Sequence, residues 1–213
     1  YAKKGSLAGV LSLDMTSGII TAAADRALLW HNPGRRGIDG FTELLAPQGG
    51  YFDLSAVIAA APLFMSAELE ATSWYAGGEV YNWVGGVEQV PLNANGARLL
   101  AVKGAKPKKV SDRESGTVWY EYDEVNPIVA TFSLAARSGV FKGKFTLWCD
   151  YEDAKGKLIH KGVKASYGGV MVPATGLMSA GQAMGLGHCL VPEANPEYKA
   201  LRLKRSRLLR IER

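Results

Sequence analysis

The sequence predicts an all-β fold, an antiparallel sandwich or barrel built from hairpins and arranged as two related β lobes. Three observations predict it. Two stretches 121 residues apart repeat one pattern: Leu11-Ser12-Leu13 leading to Ser17-Gly18-Ile19-Ile20, and Phe132-Ser133-Leu134 leading to Ser138-Gly139-Val140-Phe141. Glycine enters positive φ without steric cost, so a Ser-Gly step between apolar runs marks a hairpin turn. The 213 residues include 25 Gly and are 47% hydrophobic, with β-branched and aromatic residues clustered between turn signals, which favours sheet over helix. Residues 128 to 172 also accept one register that gathers their apolar side chains on a single face, and a one-residue slip would reverse every one of them.

Taken in order, the first hairpin turns at Ser17-Gly18 and sets Met15 against Ile20, Leu13 against Ala22, Leu11 against Ala24 and Leu7 against Leu28. Asn32-Pro33-Gly34-Arg35-Arg36-Gly37 reads as a solvated basic turn. Phe41 to Leu45 and Tyr51 to Ala59 are expected as strands. From Leu69 to Val102, short strands are joined by tight turns at Gly77-Gly78 and Gly85-Gly86. Residues 103 to 116 are polar and form the exposed boundary between a lobe at 1–102 and a lobe at 117–213. Thr117 to Asp123 alternates as a strand, and Asn126-Pro127 leads into a meander.

In that meander a two-residue loop at Ser138-Gly139 sets Ala136 against Phe141, Leu134 against Gly143, Phe132 against Phe145, Ala130 against Leu147 and Ile128 against Cys149. A three-residue loop closed by Gly156 then pairs Tyr151 with Ile159, Leu147 with Val163, Phe145 with Ala165 and Gly143 with Tyr167. Lys161 opposite Cys149 is its one flaw. The opposite face, Lys142, Lys144, Thr146, Trp148 and Asp150, reads as mostly solvated. Gly168 to Gly187 is rich in Gly, Ala and Met and is expected to be mobile, ahead of a last core strand from Leu186 to Val191. The remaining segment is expected as a strand, Leu201 and Leu203 alternating with Arg202 and Lys204.

The formal charge of +5 is a local property. Residues 199 to 213 carry a net +6, which leaves the rest near −1, so a globally basic nucleic-acid-binding surface is not expected. Lys199, Arg202, Lys204, Arg205, Arg207 and Arg210 form a candidate partner-binding basic tail. The longest apolar stretch, Leu54 to Met65, is interrupted by Pro62 and is shorter than the roughly 20 residues of a membrane-spanning helix. The chain is expected to be soluble. It begins at Tyr1 with no signal peptide, which fits either a removed leader or a piece of a longer protein.

Catalytic signatures are sparse. His31, His160 and His188 have no metal-ligand spacing, and no nucleophile elbow, Walker loop or dinucleotide fingerprint occurs. No catalytic, metal or cofactor residues are therefore assigned. Asp150 faces His160 as a surface cross-strand pair. Cys149 and Cys189 form a disulfide if their strands are neighbours, and are otherwise two buried thiols. Service of Cys189 by His188 is disfavoured because adjacent strand residues point to opposite faces. Trp74, Trp83 and Trp148 are candidate glycan-stacking platforms, against the competing reading that an indole covers a glycine on the next strand.

The run from Ser138 to Leu147, the turn from Asp153 to Lys157 and the strand from Val163 to Val172 together resemble the Gly-Phe-x-Gly-x-Phe hairpins found in β-rich carboxy-terminal regions of large bacterial secreted or cell-surface proteins. The likeness covers about 75 residues. It implies an extracellular or cell-surface bacterial setting and no catalytic residue. The expected role is a non-enzymatic structural, adhesive or filament-forming assembly module, whose partners are other protein subunits or an acidic surface. A carbohydrate-binding module is the alternative, and an unrecognised hydrolase the next.

Overall fold

The computed structural model describes residues 6–14, 16, 19–22, 28–33, 40–45, 48–50, 52–67, 82–84, 90–153, 155–171, 184–192 and 204–213. They form an antiparallel β protein in two compact units, one built before Phe52 and one after it. The division falls at Phe52 and not within 103–116, because strands on both sides of that segment belong to one sheet.

The first unit holds two three-stranded sheets. One has the order β1 (Ser6–Ala8), β4 (Leu28–Asn32), β5 (Phe41–Leu45), and the other β2 (Leu11–Asp14), β3 (Ile19–Ala22), β6 (Gln48–Gly50). Leu11 pairs with Ala22, Leu13 with Ile20 and Asp14 with Ile19, two positions from the expected register. Leu7 faces Trp30 in place of Leu28. The Thr16 amide donates to Asp14 Oδ1 at 2.8 Å at the turn.

The second hairpin shows the same displacement. Strand β13 (Thr131–Leu134) meets β14 (Val140–Glu152) with Phe132 opposite Gly143 and Leu134 opposite Phe141. The Ala135 amide donates to Val140 O at 2.8 Å, and Gly139 closes the turn at φ +66°, a conformation that disfavours a Cβ. The two-residue Ser-Gly loop is thus corrected to a four-residue connection in both copies. A shift of two preserves the face of every side chain, since strand periodicity is two. The repeated sequence pattern accordingly folds with one loop length and one register twice.

In the second unit, α1 (Leu54–Ala59) replaces the strand expected at 51–59. Asp53 caps it, its Oδ1 accepting from the Ser55 and Ala56 amides at 2.8 and 3.3 Å, which satisfies donors that the first helical turn leaves free. The large sheet runs β10 (Arg98–Ala101), β9 (Val90–Asn95), β7 (Leu63–Ala67), β17 (Lys204–Glu212), β16 (Gly185–Pro192), β15 (Leu158–Met171), β14 and β13, with β8 (Asn82–Val84) on the far half of β14. It curls into a nearly closed barrel that brings β10 alongside β13.

Between β14 and β15 the expected register holds throughout: Gly143 faces Tyr167, Phe145 faces Ala165, Leu147 faces Val163 and Tyr151 faces Ile159. The inward face supplies the core. Phe141, Phe145, Leu147, Leu63, Leu92, Leu99, Leu209 and Ile211 are fully buried there, Phe132 and Ala165 nearly so, and Val163 packs against them. Val57 of α1 joins the same cluster. The glycines within the hairpin have a structural reason. Phe141, Tyr167 and Trp148 stand directly opposite Gly169, Gly143 and Gly162, and a Cβ at each of these glycines would collide with the ring facing it. Each aromatic ring occupies the space its partner leaves.

The barrel seam is closed by one side chain. Asn126 is fully buried. Its Nδ2 donates to Val102 O at 2.7 Å, just after β10, and to Ala130 O at 3.0 Å, just before β13, while Oδ1 accepts from the Ala130 amide at 2.7 Å. Asp123 supports this loop by accepting from the Asn126, Val125 and Ala105 amides at 2.8, 3.0 and 3.0 Å. Those bonds, the Asn126 amide foremost, hold its carboxyl below the ordinary carboxylate range.

Candidate functional site

The outer end of the β14–β15 hairpin carries the densest group of chemistry-bearing side chains. Strands β11 (Lys108–Ser111) and β12 (Val118–Glu121) form a small antiparallel sheet. Its connection is tied by Asp112, whose carboxylate accepts from the Ser115 hydroxyl at 2.6 Å and the Glu114 amide at 3.0 Å. Tyr120 and the following Tyr122 lie against the face expected to be solvated. Tyr120 stacks on His160 with ring centroids 3.8 Å apart and Trp148 stacks on it at 5.0 Å, both within 12° of parallel. Asp150 Oδ1 lies 2.6 Å from His160 Nδ1, and Asp150 Oδ2 accepts from the Tyr122 hydroxyl at 2.9 Å.

The Asp150–His160 pair is therefore where the register placed it, but it is not a surface pair. The Asp150 side chain is only 6% exposed and that of His160 15%. The cause is plain: β14 and β15 alone form a ribbon with an open outer face, and Tyr120 of β12 and Tyr122 just after it cover that face. Chemically, Asp150 orients the imidazole through Nδ1 as in an acid–base dyad. Among the described residues no Ser, Thr or Cys side chain hydrogen-bonds His160. The arrangement acts as a clamp that fastens the Tyr120–Tyr122 segment to the barrel.

Comparison with protein-family models, with curated proteins and with solved structures finds no match. Among the described residues no helix is long and apolar enough to cross a membrane, and no group of three or more His, Cys, Asp or Glu could hold a metal ion.

Of the candidate glycan platforms, Trp74 and the Trp83 side chain lie outside the described residues. Trp148 is half-buried, covers Gly162 and leans on His160, which matches the covering role and removes an open platform at this position. Its Nε1 is buried without a hydrogen-bond partner. In the basic segment, Lys199, Arg202 and the Arg205 side chain are also outside the described residues. The rest is no free tail. Lys204–Glu212 is an inner strand of the barrel between β16 and β7, with Leu209 and Ile211 buried inward and Lys204 and Arg210 exposed outward. Arg207 is half-buried opposite Cys189.

The expected disulfide is not formed. Cys189 is a free, buried thiol, its backbone opposite Tyr167, whereas that of Cys149 is opposite Lys161, six positions along β15. Two cysteines so far apart along the strands cannot reach disulfide geometry. Burial pushes the Cys189 thiol up to about 11, and exposed His188 points to the other face. In a Cys149→Ser background, Cys189 is expected to resist a thiol-specific chromogenic reagent at neutral pH and to react fully once urea unfolds the chain. Rapid labelling of the native protein would contradict the burial.

Sequence reading missed the surface of the first unit. Leu7, Leu11, Leu13 and Leu44 are 59%, 51%, 54% and 71% exposed, and Leu28 is the one buried apolar side chain among that unit's described residues. Their alternation was legible; their exposure was not.

Proposed function

We propose that this chain is a non-enzymatic structural module that works by assembly at a bacterial surface or outside the cell, with other protein subunits as its partners. The observation that carries the reading is the open architecture of the first unit. Among the described residues its two three-stranded sheets end in β1, β5, β2 and β6, and Leu7, Leu11, Leu13 and Leu44 on those strands are exposed. Small sheets need an apolar face packed against something to be stable, and Leu11 and Leu13, both more than half exposed on one face of the edge strand β2, favour docking of another chain. The sequence resemblance of residues 138 to 172 to hairpins of secreted and cell-surface proteins supports the same setting.

Sedimentation over a wide concentration range tests it. The protein is expected to self-associate as concentration rises, and Leu11→Lys/Leu13→Lys is expected to return it to monomer while leaving the unfolding of the barrel unchanged. A chain that stays monomeric at every concentration, or a double variant that associates as well as the parent, refutes self-assembly.

A further inference from the structure

The inward face of β14–β17 is accounted for by the core, but the outward face is not. Strand registry places Val140 beside Val170, Val170 beside Leu186 and Leu186 beside Arg210, with Leu208 on the next row opposite His188. The four aliphatic side chains are 46%, 44%, 52% and 50% exposed and form a stripe across neighbouring strands. Around it the same face presents Lys142, Lys144, Lys164, Lys204 and Arg210, all exposed. Among the described residues of this face the acids are Glu212, 3.9 Å from Arg210, Asp150, buried under Tyr122, and Glu152, at the far end of β14 twelve positions from Val140.

We propose that this face docks on the surface of an anionic phospholipid bilayer. The charge complementarity is one-sided among the described side chains: Lys142, Lys144, Lys164 and Lys204 are exposed around the stripe, whereas Glu212 lies against Arg210 and Asp150 is buried, so a second copy of the same face would be repelled. The residue types decide between anionic partners. Protein interfaces are enriched in Arg and aromatic residues and depleted in Lys, and single-stranded nucleic-acid surfaces stack bases on aromatic rings. The described side chains around this stripe are mainly aliphatic residues and lysines, with Arg210 against Glu212 and Trp148 half-buried over Gly162 at the far end of the strand; the long lysine stems cover apolar surface while their ammonium groups stay at the headgroups. Val140, Val170, Leu186 and Leu208 enter the boundary between headgroups and acyl chains. The inference concerns a surface of the second unit and stands whether or not the first unit assembles.

Co-sedimentation of the full chain with vesicles tests it. Binding is expected to phosphatidylcholine vesicles in which about a third of the lipid is phosphatidylserine, and not to pure phosphatidylcholine. Lys142→Glu/Lys164→Glu is expected to weaken it by at least about tenfold, and Val170→Thr/Leu186→Gln, which keeps the charge, by about tenfold. With the unaltered protein, raising the salt from about 0.1 M to about 0.5 M should release most of the bound chain, so the test does not depend on a variant folding. The monomeric Leu11→Lys/Leu13→Lys chain should bind as well per molecule, which separates this result from assembly. Absence of binding to anionic vesicles, or equal binding to neutral ones, overturns the proposal. So does equal binding to soluble polyglutamate that is indifferent to Val170→Thr/Leu186→Gln, a result that would assign the face to an acidic protein.

Discussion

Asn126→Ala is expected to lower the stability of the second unit by about 4 kcal/mol, because one hydrogen bond across the barrel seam, to Val102, and two to Ala130 vanish and strand their partners, each buried orphan costing about 1–3 kcal/mol. The side chain is fully buried and its two polar atoms serve Val102 and Ala130. It does in one residue what a ladder of backbone bonds does between the other strands. Gly104 is part of the same joint, since a Cβ there would strike the Asn126 carbonyl oxygen. Urea unfolding followed by tryptophan fluorescence measures the loss. Asn126→Asp keeps the acceptor for the Ala130 amide but loses both donated bonds and buries a charge, so it should be no better than Ala. A midpoint unchanged in Asn126→Ala would mean that the seam is held by other groups.

Gly143→Ala is expected to cost about 3 kcal/mol through overpacking. Tyr167 reaches across Gly143 to donate its hydroxyl to Thr131 O at 2.6 Å, so one phenol ties β15 to β13 over the strand between them. A methyl on Gly143 would overlap both the tyrosine ring and that carbonyl oxygen. The control lies one strand over. A Cβ on Gly168 would meet only Phe141 O, at an ordinary 3.5 Å, so Gly168→Ala should change the midpoint by less than about 1 kcal/mol. Thermal unfolding of the two variants compares them directly, and equal behaviour would dispose of the crossing-tyrosine account. Replacing Tyr167 by Leu in the Gly143→Ala chain should recover part of the loss, because the colliding ring is gone.

How much of this could be read beforehand follows from what a pattern records. The pairing of β14 with β15 was legible at every position because a run of apolar residues on one face penalises any odd shift, and the glycine at 156 selected one loop length. The two Ser-Gly hairpins were placed two residues off for the complementary reason: an even shift leaves each side chain on its face, and only the turn geometry around Ala135 and Gly139 distinguishes the two. Residues 54–59 read as a strand because a short Ala-rich run alternates weakly, while the deciding signal, Asp53 as a helix cap, lies in two hydrogen bonds. The burial of Asp150 and His160 was beyond any local pattern, since the tyrosines that cover them come from about 30 residues upstream. The alternation of the basic segment made it legible as a strand, and Lys204–Glu212 is one; its charges did not show that it pairs on both sides, with Leu209 and Ile211 buried inward and Leu208 and Arg210 facing out.

That inner strand orders the events of folding. Among the described residues, β7 and β16 are joined in the barrel's ladder through β17, with Met65 meeting Ile211 across 146 positions of chain. The hairpins from Thr131 to Met171 can close while synthesis proceeds, because their contacts are local. The half-barrel at 63–101 must wait. Its edge stays unsealed until the keystone arrives, which makes ring closure a late step of high contact order and leaves any nascent chain that stops short of Lys204 as two arcs with raw edges.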